Sequence, residues 1–331
     1  MRILLVKLSS LGDVVHTLPV VQDILAAMPD AQIDWVIEKA FAPLLSQVTG
    51  LNRFIPCELR RWRKSFWTAQ TRLEWRVFKT DLQQTSYDAV IDLQGLTKSA
   101  VVSRLAKLTS QGTRYAMANQ TDGSGYEAPT RWVADVTITL MPHCHALARG
   151  RLLAAKALGY DAELAKKAPN YGIKVPLGQS IYARAAPKSV AFIHGTSRPD
   201  KTWPLQNWVD LGQRLAASGY QIKLVHGSPK ELVFSQAIAA QLGANSMVLP
   251  TLSLSDLTEQ LASCRGAIGV DSGVSHIAVA LGLPHVQIYN FDTAWRTGPL
   301  GSAHQVSVFA QPSPSVDAVW QAWQTCEGRL L

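Results

Sequence analysis

Two stretches of the chain run through one pattern: a short apolar segment, a polar turn that carries glycine, then apolar residues recurring at helical spacing. In the first, residues 3–8 predict a strand, Ser9-Ser10-Leu11-Gly12-Asp13 a turn, about 14–28 a helix and 33–37 a second strand. The second opens with a strand over 189–193 and the turn His194-Gly195-Thr196-Ser197, and continues into a helix over 205–218 and a strand over 221–225. Two halves that open alike predict an α/β protein of two facing Rossmann-like domains. Their sequences barely match, so the repeat is one of architecture.

Between these stretches, 89–93 reads as another strand with Gln94-Gly95-Leu96-Thr97-Lys98 as its turn. The polar segment 111–130 reads as a mobile loop, and about 145–158 as a helix. Pro169, Gly172, Pro176 and Gly178 mark a connection, which puts an N-terminal domain over 1–178 and a C-terminal domain over 179–310. After a strand over 285–289, the segment 311–331 holds a last helix, from Ser315-Val316 to about Gln324, expected to pack back toward the N-terminal domain.

The C-terminal half carries the clearest chemistry. Residues 267–270 predict a buried strand, Asp271-Ser272-Gly273 a turn, and 274–281 a small-residue helix closed by Gly282 and Pro284. The first N–H groups of such a helix lack partners and point out of the C-terminal end of the sheet, where the helix dipole favours negative charge. Gly273 lets the main chain approach a phosphate, Ser272 adds a hydroxyl, and His276 projects from the same face. An ordinary βα turn capped by Asp271 reads the same way, and the stretch alone favours that plainer reading. The turn after 189–193 changes the weighing. Gly195, Thr196, Ser197, Arg198 and Lys201 put two hydroxyls and two cations at a second strand end, so a phosphorylated ligand is expected. Glu231, following the strand end at His226-Gly227, is placed to accept two hydroxyls of a sugar.

Composition narrows the class. With 331 residues, 47% apolar and 17% charged, the chain can bury two cores and is not disordered. It has no run of 18 apolar residues, and its apolar start is too short for a signal peptide, so a cytoplasmic location is expected. Cys57, Cys144, Cys264 and Cys326 lack metal or redox spacing and read as reduced structural residues. The net charge of +8 is unevenly spread: residues 60–79 hold seven basic side chains against Glu74 alone, interleaved with Trp62, Phe66, Trp67 and Trp75. That mixture suits an anionic membrane surface or single-stranded nucleic acid. A solvated helix face accounts for the charges but poorly for three tryptophans. Asp13, one residue past a glycine at a strand end, is either a general base for a substrate hydroxyl or the cap of the next helix, and the two readings stand level. There is no Asp-x-Asp, G-x-G-x-x-G or P-loop pattern. A pyrophosphate would be neutralised by Lys201 and helix N-termini, with no metal or other cofactor.

Five motifs taken together carry a family resemblance: Val6-Lys7-Leu8-Ser9-Ser10-Leu11-Gly12-Asp13-Val14-Val15-His16-Thr17-Leu18-Pro19, Arg60-Arg61-Trp62-Arg63-Lys64, Asp88-Ala89-Val90-Ile91-Asp92-Leu93-Gln94-Gly95, Asp200-Lys201-Thr202-Trp203-Pro204 and Asp271-Ser272-Gly273-Val274-Ser275-His276. In this order the chain resembles the lipopolysaccharide heptosyltransferases of type I from its start to about Tyr289. Type II resembles the C-terminal motifs but departs at the first turn and the arginine cluster. The resemblance implies the glycosyltransferase B architecture and transfer of L-glycero-D-manno-heptose from ADP-heptose to the first Kdo of Kdo2-lipid A, with inversion and without a required metal. It also implies a place on the cytoplasmic face of the inner membrane.

By that resemblance Asp13 is the catalytic base, Lys201 the cation at the donor phosphate and Asp271 the holder of the donor sugar. Ser272, Gly273 and His276 belong to the phosphate turn with Thr196 and Ser197 beside it, and Glu231 holds the ribose. Arg60, Arg61, Arg63 and Lys64, with Ser10, Gly12 and Gln94, form the acceptor set. Tyr289-Asn290-Phe291-Asp292 departs from the family's Gly-Pro-Thr. The alternatives are another family member with a different acceptor or nucleotide sugar, and a nucleotide-regulated nucleic-acid-binding module. The family reading expects no specific nucleic-acid partner.

Overall fold

The computed structural model describes residues 1–174 and 188–328, which form two compact units, Met1–Gly172 and Ile173–Leu331. Pro176, Gly178 and the boundary expected after them lie outside the described residues.

The first unit is built on a six-stranded, wholly parallel sheet. Its strands are β1 (Arg2–Val6), β2 (Gln32–Glu38), β3 (Arg53–Cys57), β4 (Ser86–Asp92), β5 (Lys107–Met117) and β6 (Val136–Ile138), in the order β3-β2-β1-β4-β5-β6. Helices cover both faces of such a sheet, so its central strands are apolar throughout: Ile3, Leu4, Leu5 and Val6 are all fully buried. The chain reverses its direction of travel between β1 and β4, and the turns leaving those two strands open a crevice at their C-terminal ends. One expectation fails here. Residues 111–117 are not loop but the second half of β5, paired to β4 and β6, because Tyr115, Ala116 and Met117 supply a short apolar run inside a polar segment. The irregular part is confined to the residues between Met117 and the helix Pro129–Val133.

The second unit repeats the plan with β7 (Ser189–Ile193), β8 (Gln221–Leu224), β9 (Ser246–Val248), β10 (Gly266–Val270), β11 (His285–Tyr289) and β12 (Gln305–Phe309). The order is β12-β11-β10-β7-β8-β9, again all parallel, and the reversal falls between β7 and β10. Each sheet therefore reads 3-2-1-4-5-6 in its own numbering. The last helix, Val316–Gly328, is four residues longer than expected and belongs to this unit. Val319, Trp323 and Cys326 are buried in the second core, and the Trp323 ring lies edge-on to Tyr220 with centroids 5.8 Å apart. A Cβ on Gly266 would come within 2.8 Å of that indole, so glycine in β10 is what lets the helix close onto the sheet.

Candidate functional site

In the first unit the site grows from the turn after β1. The helix Leu11–Ala27 begins earlier than the sequence predicts, with Ser10 as its N-cap, so Asp13 lies in the first turn. One carboxylate oxygen, Oδ2, accepts from the Ser10 N–H at 3.1 Å and from its hydroxyl at 2.8 Å. The other, Oδ1, lies 3.7 Å from Lys7 Nζ and 3.4 Å from Arg149 Nη2. Asp13 is therefore not the N-cap of this helix: it stands three residues past Ser10, with one oxygen on the cap residue and the other beside two cations. Burial alone would push the Asp13 carboxyl up, but the charges of Lys7 and Arg149 and the Ser10 bonds outweigh it and hold it below the usual carboxylate range. Burial in turn lowers the Lys7 ammonium, against the pull of Asp13.

The turn after β4 braces this arrangement. Gln94 does not present its carbonyl oxygen to a ligand: Oε1 accepts from the Leu8 and Ser9 N–H groups at 3.0 and 3.1 Å, stitching the two turns together. Asp92 accepts from the Gln94 and Gly95 N–H groups and the Ser99 hydroxyl, yet burial still raises its carboxyl to about 6. Lys98 reaches the Ser9 hydroxyl at 2.6 Å. Lys7, Lys98 and Arg149 were not singled out from the sequence. Lys7 could have been, as a cation ending a buried strand, whereas Arg149 stands in a helix with nothing around it to mark it.

Arg60, Arg61, Arg63 and Lys64 share the helix Leu59–Ser65, which precedes the helix Ala69–Leu82, and all four are exposed. Arg61 is already paired, to Glu58 and to Glu74. Trp62 is buried, donates to Glu74 at 2.8 Å and packs edge-on against Trp75. Two of the three tryptophans therefore hold the helix pair together, which a ligand-binding role did not foresee. Trp67, at the turn between the helices, is 87% exposed.

In the second unit the turn after β10 makes Ser272 the N-cap of the helix Gly273–Ala280, and Asp271, one residue earlier, is not the cap. Its buried carboxylate gathers Lys201 Nζ at 2.5 Å, Thr297 Oγ1 at 3.3 Å, and Gln287 Nε2 and His276 Nε2 at 3.4 Å. Burial would raise this carboxyl, but His276 and Lys201 hold it far below its ordinary value. An ammonium has three donors, so Lys201 can serve Asp271 and a phosphate together.

Beside this cluster a cavity of about 490 Å³ is lined by residues that include Thr196, Ser197, Glu231, Trp203 and Phe234. Glu231 Oε2 accepts from the Gly227 N–H at 2.7 Å, and its carboxylate lies so near the turn after β7 that a Cβ on Gly195 would meet it at 2.7 Å. The structure thus joins Thr196, Ser197 and Glu231 around one cavity, and Lys201, Asp271 and His276 in one charged cluster. The turn Pro199–Lys201 lies between the two, with Pro199 lining the cavity. Gln287 and Thr297 were missed, although a glutamine in the middle of the apolar run of β11 is a legible signal.

Known proteins and solved structures are similar to the chain. The family model for glycosyltransferase family 9 (heptosyltransferase) matches residues 75–321. The chain is 37% identical to lipopolysaccharide heptosyltransferase 1 of Pseudomonas aeruginosa, over 91% of this chain and 82% of that protein. It is likewise 37% identical to the Escherichia coli K12 protein of the same name, over 87% and 88%. Among solved structures it resembles E. coli heptosyltransferase WaaC with ADP at a TM-score of 0.85, with 33% identity and coverage of 98% of this chain and 100% of that one. The same enzyme with ADP-2-deoxy-2-fluoro heptose matches at 0.80, with 34% identity over 97% and 98%.

Proposed function

The chain belongs to glycosyltransferase family 9, the heptosyltransferases, and on that premise we propose how its two sites divide the reaction. It has the glycosyltransferase B fold and transfers heptose from ADP-heptose in lipopolysaccharide inner-core biosynthesis. The acceptor we infer is the first Kdo of Kdo2-lipid A, reached at an anionic membrane surface on the cytoplasmic face.

The observation that carries the donor assignment is the Lys201–Asp271 pair beside a cavity lined by Glu231. The cavity takes the nucleoside, with the ribose hydroxyls on Glu231. The phosphates lie against Lys201 and the N–H groups opening the helix at Gly273, with Ser272, His276, Thr196 and Ser197 around them. Asp271 holds the heptose. In the first unit Asp13, already ionised at neutral pH, takes the proton of the acceptor hydroxyl as its oxygen bonds to the anomeric carbon. The bond from that carbon to the phosphate oxygen breaks on the opposite side, which inverts the centre, and Lys201 and the helix N–H groups stabilise the departing ADP. Arg60, Arg63 and Lys64 are exposed and suited to carboxylates and phosphates of the acceptor, whereas Arg61 contributes through its brace to Glu58 and Glu74. Ser10 and Gly12 shape the turn that presents Asp13, and Gln94 holds that turn.

The test is ADP release from ADP-heptose, with and without Kdo2-lipid A, in EDTA. Acceptor-dependent release that survives EDTA is expected. Release equal in both arms would overturn the acceptor, and its loss in EDTA would overturn the metal-free donor site.

A further inference from the structure

We infer that Asn290 is the positioning residue for Lys201, clamping the turn that carries it. Asn290 follows β11 directly, is 8% exposed, and donates from Nδ2 to the Asp200 carbonyl at 3.0 Å and to the Thr202 carbonyl at 2.9 Å. Those carbonyls flank Lys201 on either side. Both Nδ2 hydrogens are thereby used, which fixes the amide in one orientation. The backbone bonds within the turn are local: Lys201 N–H to the Arg198 carbonyl and Thr202 N–H to the Pro199 carbonyl. Asn290 ties the segment to the sheet, one strand over from Asp271 at the end of β10.

A second observation points the same way. Asn290 Oδ1 is buried and has no hydrogen-bond partner among the described residues. An unpaired buried acceptor is costly, and a residue present only to fill space would be apolar. The position keeps an amide because its nitrogen is needed. With its backbone held, a long flexible lysine loses less freedom in placing its ammonium between Asp271 and a phosphate, so the clamp acts on ligand affinity.

The inference rests on the reading of Lys201 as the cation at the donor phosphate, and a double-mutant cycle separates the two. ADP affinity would be measured by calorimetry on the full chain, on Lys201→Ala, on Asn290→Ala and on the double variant, with thermal unfolding of each. Asn290→Ala is expected to weaken ADP by about five- to tenfold, the scale of one or two hydrogen bonds. Added to Lys201→Ala, it should weaken ADP no further, because its effect passes through Lys201. Donor KM should rise while acceptor KM stays unchanged. Affinity within about twofold of the unaltered protein in Asn290→Ala, or losses that simply multiply in the double variant, would overturn the clamp. Normal ADP binding by Lys201→Ala would instead remove the donor-site reading, and the clamp with it. Should Asn290→Ala fail to fold, Asn290→Ser, too short to span both carbonyls, takes its place in the same cycle.

Discussion

One oxygen of Asp13 is spent on the start of a helix and the other faces two cations, so its basicity is set by neighbours rather than by its own chemistry. Lys7 and Arg149 favour the ionised form, and a base of this kind loses activity only when pH falls through a value below the usual carboxylate range. The acidic limb of kcat/KM is therefore expected to lie below the ordinary aspartate range. Arg149→Met removes a positive charge and should move that limb upward, while leaving ADP affinity unchanged. A limb that stays in place would remove Arg149 from the site. Asp13→Ala should lower kcat by about 10²- to 10⁴-fold, the usual span for a general base, and near-normal turnover would end the assignment. The sequence gives Asp13 two readings without choosing between them. The choice depends on Arg149, 136 positions away, which no local pattern connects to it.

At the scale of elements, the helices Leu59–Ser65 and Ala69–Leu82 show why the basic stretch was half legible. Their charge was plain, but which tryptophans face inward depends on tertiary packing: Trp62, Trp75 and Phe78 meet at 5.5 to 5.9 Å and seal the pair to the first unit. Left outside are Trp67, Phe66, Leu73 and Val77 beside Arg72 and Arg76, an apolar edge bordered by cations. Such an edge suits an anionic bilayer surface, where each basic residue contributes about 1 kcal/mol. Replacing Arg72 and Arg76 together by Gln should weaken partitioning to phosphatidylglycerol vesicles by roughly thirtyfold at low salt. Trp67→Ser should weaken it again and abolish any blue shift of tryptophan emission on binding. ADP affinity is the control and should not move. Vesicle binding indifferent to all three changes would take the membrane role away from this edge.

Across the whole molecule, the repeated plan was readable because β1, β7 and β10 are compact apolar runs next to glycine turns. The strands β3, β5, β6, β9 and β12 were not, since most of their residues are polar or part-exposed and pairing alone makes them strands. The two units also differ in how acid should act on them. The second buries two neutral histidines: burial lowers His194 to about 4 and His285 to about 3, with Ser235 and the Ala267 carbonyl as their partners. For both, the unfolded chain binds a proton below about pH 6.5 while the folded one does not, so stability present above that value is lost as pH falls. Between pH 6.5 and 5 each accounts for about 2 kcal/mol. In the first unit Asp92 has the opposite sign, because burial raises its carboxyl to about 6 and the fold takes up the proton first. The depressed carboxyls of Asp13 and Asp271 act only below this window. Urea unfolding at pH 7.5 and pH 5 should therefore show the second unit losing stability while the first gains about 1 kcal/mol, followed by hydrogen exchange to assign each transition. His285→Asn keeps a donor for the Ala267 carbonyl but cannot titrate, and it should remove about half of the pH dependence of the second unit. If that variant kept the full dependence, the acid sensitivity would have to come from groups other than the buried histidines.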